Sequence, residues 1–86
     1  MNAPPIPLNI AVLGAGAWGT ALAVHYAQRH AVTLWTRSAA HADAMRNQRE
    51  NTRYLAGIPL PAQLKLSHDL HEAIAHADLL LLAVPS

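Results

Sequence analysis

A chain of 86 residues with a net charge of +1 and no cysteine leaves room for one small domain and excludes a disulfide framework, a thiolate metal centre and a cysteine nucleophile. Apolar residues make up 52% and charged residues 13%, with Lys and Arg spread rather than clustered, so there is no electrostatic footprint for nucleic acid or an anionic membrane. The start, Met1 to Leu8, has three prolines and no basic residue, unlike a signal peptide, and the longest strongly apolar stretch, Leu79 to Val84, is too short for a membrane-spanning helix, which makes a cytoplasmic location the default.

Pro4, Pro5 and Pro7 hold residues 1–7 out of helical conformation, so a flexible leader is expected there and order from Leu8 onward. Leu8 to Leu13, with β-branched Ile10 and Val12, reads as a buried strand ended by Gly14. A turn over 14–16 opens a helix from Ala17 to about Arg29, where Ala21, Leu22, Ala23 and Ala27 favour helix. Ala31 to Thr36 is the next strand, and Ser38 is placed to cap a second helix that runs to about Asn47. Residues 51–61 hold Gly57, Pro59 and Pro61 and are expected to be a long loop. Gln63 to Leu66 is a weak third strand. Asp69, with Glu72 three residues on, caps a short helix whose apolar side is Leu70, Ala73, Ile74 and Ala77. Asp78 to Val84 is a fourth strand, apolar throughout after its first residue, as suits a parallel strand covered on both faces. The alternation predicts an α/β fold, a Rossmann-type parallel sheet that is incomplete, with about four strands and helices between them.

The run Leu13-Gly-Ala-Gly-Ala-Trp-Gly19 joins the first strand to the first helix. Gly14 suits the tight turn, Gly16 lets backbone approach a pyrophosphate, and Gly19 lets the helix lie close to the strand. The helix start then offers free amides and a positive dipole end to phosphates. Dinucleotide binding is the functional reading, and a turn with no ligand is the alternative. Trp18 sits at the mouth of the turn, against a cofactor or as a core aromatic closing it. The second strand ends at Trp35-Thr-Arg37 with no acid for the ribose hydroxyls, and Arg there accommodates a 2′-phosphate, so NADP is favoured over NAD. The candidate cofactor-binding set is Gly14, Gly16, Ala17, Trp18, Gly19 and Arg37. The six histidines include no ligand set for a metal, and no nucleophile, base and orienting group come together, so neither metal nor catalytic residues are assigned.

Four blocks together, Gly14-Ala-Gly-Ala-Trp-Gly-Thr-Ala-Leu-Ala23, Val32-Thr-Leu-Trp-Thr-Arg37, Asn51-Thr-Arg-Tyr-Leu-Ala-Gly57 with Leu60-Pro61, and Ala83-Val-Pro-Ser86, resemble the bacterial NAD(P)-dependent glycerol-3-phosphate dehydrogenases. The resemblance implies reversible hydride transfer between nicotinamide and dihydroxyacetone phosphate or glycerol 3-phosphate, in phospholipid synthesis. It gives Trp18 and Arg37 places in the cofactor site, and it puts the catalytic lysine and the substrate-phosphate residues beyond position 86. Residues 8–86 are then the amino-terminal part of a dinucleotide-binding domain, with the substrate domain absent and no catalysis expected from this chain alone. The alternatives are a stand-alone NAD(P)-binding module and a truncated reading frame without function. Expected partners are the small-molecule cofactor and either the remainder of the enzyme or a second copy of the chain. Two departures from the family pattern stand out: Ala56 in place of proline, and no glycine before His30. A non-Gly residue ending the first helix left-handed costs about 1 kcal/mol. That departure bears on the register of the second strand and on the placing of Arg37.

Overall fold

A computed structural model describes residues 6–83, so most of the expected leader and Val84, Pro85 and Ser86 lie outside the described residues. The elements run in the order β1 (Asn9–Leu13), α1 (Ala17–Tyr26), β2 (Ala31–Trp35), α2 (Ala39–Gln48), β3 (Glu50–Asn51), β4 (Leu55–Pro59), β5 (Lys65–Ser67), α3 (Leu70–Ile74) and β6 (Leu79–Leu82). Four of the strands form a parallel sheet in the order β5-β2-β1-β6. β1 lies inside it, pairing Asn9 with Ala31 and Leu13 with Trp35 on one side, and Ile10 with Leu79 and Leu13 with Leu82 on the other. Its β-branched residues and small Ala11 suit a strand closed in from all sides, and Ile10, Ala11 and Val12 are buried.

The chain steps outward from β1 through β2 to β5, then returns across both to place β6 on the far side of β1. Right-handed crossovers put α1 and α2 on one face and α3 on the other. The core joins Ile10, Val12, Val32, Leu34 and Leu66 of the sheet to Ala23 and Ala27 near α1, Met45 of α2, and Leu60 and Leu64. At the starting edge, Asn9 N donates to Asp78 Oδ2 at 2.8 Å while Asp78 N donates to Asn9 O at 2.7 Å. Asp78 thus occupies the strand-end polar position that its sequence context suggests.

Four local expectations need correction. The fourth strand, β6, is not covered on both faces: it stands at the edge of the described sheet with Leu79, Leu80 and Leu82 exposed. Residues 50–59 are not a plain loop: β3 and β4 form an antiparallel ribbon apart from the main sheet, with Glu50 opposite Pro59. A ribbon strand with one free side tolerates the missing amide of Pro59, which a central strand does not. The third sheet strand is Lys65–Ser67 rather than Gln63 to Leu66, because Leu64 N closes a turn onto Pro61 O at 3.0 Å before pairing with β2 begins. The first helix needs no left-handed ending. It stops at Tyr26 with Ala27 in right-handed conformation, and both Arg29 N and His30 N donate to Tyr26 O. The only non-glycine residue with positive φ among those described is Arg49, at 52°. The cost expected from the missing glycine therefore does not arise, and β2 is in register with β1 along its whole length.

Candidate functional site

The carboxyl ends of β1, β2 and β6 face one cleft of about 800 Å³, lined by the turn residues Gly14 to Trp18, by Trp35 to Ser38, and by His41, Arg53, Tyr54 and Ala83. It sits where the chain direction across the sheet reverses, the position at which open α/β sheets take ligands. Its size lies within the range of small-molecule sites. The lining carries two guanidinium groups, Arg37 and Arg53, and no carboxylate among the described residues.

Gly14 leaves β1 with φ 118°, a conformation open to glycine, and its N–H donates to Trp35 O at 2.9 Å. The turn is thereby tied to the end of β2. Gly16 is the N-cap of α1 and offers no side chain to the helix amides. A Cβ on Gly16 would meet no protein atom within 4 Å, so it would project into open space at the cleft wall. On Gly19 it would fall 1.8 Å from Gly14 O, which is backbone and cannot move aside. Gly19 therefore does not line the cleft; it lets α1 seat against the turn. The packing and turning jobs assigned to Gly19 and Gly14 are visible in the geometry.

Trp18 is 67% exposed and stands at the mouth of the cleft, not in the core. Arg37 follows the buried Thr36 and is exposed on the same rim. Ser38 caps α2 as its sequence position suggests, accepting from His41 N at 3.1 Å. His41 is not simply solvated: Nε2 lies 3.0 Å from Asn51 Oδ1, Nδ1 lies 3.5 Å from Thr36 Oγ1, and the ring meets Tyr54 edge-on. No group of three metal-ligating side chains occurs among the described residues, and no described helix is long and apolar enough to cross a membrane.

Arg53, Tyr54 and His41 line the cleft and are not found by reading the sequence for it, nor is Asn51, which is buried beside them and bonded to His41. The ribbon folds back to bring Arg53 and Tyr54 to the rim, where the Arg53 guanidinium lies 5.2 Å from the centre of the Tyr54 ring. The signal that existed for Asn51, Arg53 and Tyr54 was their place in the Asn51-Thr-Arg-Tyr-Leu block, which carries the family resemblance without saying where in the fold it lies; His41 lies outside it.

Residues 9–86 match a family model described as the N-terminus of NAD-dependent glycerol-3-phosphate dehydrogenase. The chain is 56% identical over 79 residues to the NAD(P)+ glycerol-3-phosphate dehydrogenase of Thiobacillus denitrificans, covering 92% of this chain and 24% of that protein. Against the enzyme of the same name from Thermus thermophilus, identity is 54% over 80 residues, with 92% and 25% covered. The crystal structure of glycerol-3-phosphate dehydrogenase from Coxiella burnetii superposes with a TM-score of 0.87 at 41% identity, over 95% of this chain and 26% of that one. The chain thus spans about a quarter of the length of the curated relatives it matches.

Proposed function

The chain belongs to the family of NAD-dependent glycerol-3-phosphate dehydrogenase amino termini, and from that membership we propose that its cleft holds NAD(P), with NADP favoured over NAD. The observation that carries the reading is the start of α1 opening on a cleft whose described lining has two guanidinium groups and no carboxylate. A pyrophosphate is held there by the free amides of the first turn, around Gly16 and Ala17. The empty space at the Gly16 Cβ position fits a phosphate approaching backbone directly. Trp18 covers the cofactor at the mouth of the cleft. Arg37, with no acid beside it on this rim, takes the 2′-phosphate of NADP. Gly14 and Gly19 act through the shape of the turn. Trp35 also lines the cleft, and its buried Nε1 has no hydrogen-bond partner among the described residues.

When bound, the nicotinamide supplies or accepts the hydride that the family's reaction exchanges with dihydroxyacetone phosphate or glycerol 3-phosphate. Residues 8–86 contribute the cofactor-holding part, in a cytoplasmic setting, and substrate binding and catalysis belong to residues the resemblance places beyond them. The apolar outer edge of β6 supports a further partner, the remainder of the enzyme or a second copy.

Both tryptophans, Trp18 and Trp35, line the cleft, so titration with NADPH and NADH followed by tryptophan fluorescence tests the reading. Saturable changes with both are expected, with NADPH the tighter. Arg37→Ala should weaken NADPH about tenfold, the scale of one charge-assisted hydrogen bond at an exposed site, and leave NADH nearly unchanged. No saturable change at millimolar ligand would sink the proposal. Equal loss for both cofactors would remove the NADP preference.

A further inference from the structure

Asn51 lies on the ribbon strand β3, distant in sequence from the glycine turn, yet its side chain is buried against that turn. Its Nδ2 donates to Ala15 O at 2.9 Å and to Thr20 Oγ1 at 2.7 Å. Its Oδ1 accepts from Tyr54 N at 3.3 Å and lies 3.0 Å from His41 Nε2. Both donor protons and both acceptor positions of the amide are in use. The reversed amide would set Oδ1 against the Ala15 carbonyl with no proton between them, so the network fixes the orientation and requires His41 to carry a proton on Nε2. A buried amide satisfied at every position holds its neighbours firmly, because any displacement strands a polar group away from water.

We infer that Asn51 is a positioning residue for the glycine turn, aiming the Gly16 and Ala17 amides into the cleft without itself touching a ligand. The inference rests on the cofactor reading above. In a planar trans peptide the carbonyl and the following N–H point in opposite directions, and no described peptide is cis. Asn51 draws the Ala15 carbonyl inward, so the Gly16 N–H points outward, toward the cleft that Gly16 lines. Thr20 reinforces the next peptide, whose Gly16 carbonyl already accepts the first helix bond from Thr20 N at 3.0 Å. Its Oγ1 accepts from Asn51 and adds a second bond to Gly16 O at 2.7 Å, which holds the Ala17 N–H outward. One buried side chain on the ribbon therefore directs the first of these donors and, through Thr20, steadies the second.

The test uses the 86-residue chain, with NADPH as the probe and a nitrogen-15 amide spectrum as the second readout. Asn51→Ala should raise the dissociation constant for NADPH about tenfold, the scale of one buried hydrogen bond. Its largest amide shifts should fall at Gly16 and Ala17 while the core strand residues Val32 and Leu34 stay in place. Thr20→Val should reproduce both effects, and Thr20→Ser, which keeps the hydroxyl, should reverse them. If Asn51→Ala does not fold, the Thr20 pair decides. Folded variants that leave the Gly16 and Ala17 amides unmoved, or that bind NADPH as the unaltered chain does, overturn the inference. If the unaltered chain binds no NADPH, the cofactor reading fails instead, and the amide shifts still decide whether Asn51 orients the turn.

Discussion

A methyl group on Gly19 would collide with the Gly14 carbonyl, whereas one on Gly16 would touch nothing in the protein, and Gly16 has an ordinary φ of −76°. The chain itself demands glycine at position 19 and has no use for it at position 16. Gly19→Ala should therefore lose at least about 2 kcal/mol of stability in urea denaturation, since backbone must give way to seat the new atom. Gly16→Ala should stay within about 0.5 kcal/mol of the unaltered chain. Its effect is expected in cofactor titration, as an affinity loss of about tenfold or more, because the new Cβ projects where a phosphate has to approach. A Gly16→Ala variant that is unstable, or that binds as before, would contradict this division of labour. The seating of Gly19 is legible in the sequence because it follows from spacing within one turn, and the role proposed for Gly16 rests on the same spacing. The orientation of the peptides between the glycines is not legible there, since it depends on Asn51, which arrives from another element.

The run from β1 through α1 to β2 and on to the cap of α2 is legible from local pattern: β-branched runs, alanine-rich helix and Ser38 placed to accept from an N-terminal amide. The ribbon is not, because Gly57, Pro59 and Pro61 carry the signature of a loop, and only tertiary contact turns that segment into paired strands. What anchors it is Arg49. It ends α2 in left-handed conformation, the role usually filled by glycine, and its Nη2 donates to Pro61 O and to Leu64 O, while its carbonyl accepts from Leu60 N at 2.8 Å. The strained backbone is retained for the side chain. Arg49→Gly should relieve the strain yet still destabilise by about 1–2 kcal/mol through the lost guanidinium bonds. Arg49→Ala should be worse by about a further 1 kcal/mol, since it loses the same bonds and keeps the strain. Thermal melts of the two variants check the order; Ala equal to or better than Gly would mean that the left-handed turn is not preserved.

At the scale of the molecule, apolar surface collects on β6, where Leu79, Leu80 and Leu82 are exposed and, among the described residues, the strand pairs with β1 alone. An apolar edge with free backbone groups invites further pairing. The chain should self-associate as its concentration rises, and Leu82→Lys, at the most exposed of the three positions, should shift that onset upward in light scattering without altering the melt. The composition signals a surplus of apolar residues, but only the strand order shows where it emerges. The position of β1 also sets a timetable. Its partner on one side follows within about twenty residues, and its partner on the other is almost the last segment described, with Asn9 and Asp78 joined across a separation of 69. Closing the longer loop costs more chain entropy and comes later. In pulsed hydrogen exchange during refolding, the amides of Ala31 and Gly14, bonded within the β1–β2 half, should gain protection before those of Asp78 and Ala83, bonded to the ends of β1 from the other side. On a ribosome, the glycine turn would then be complete while the far wall of its cleft was still unmade.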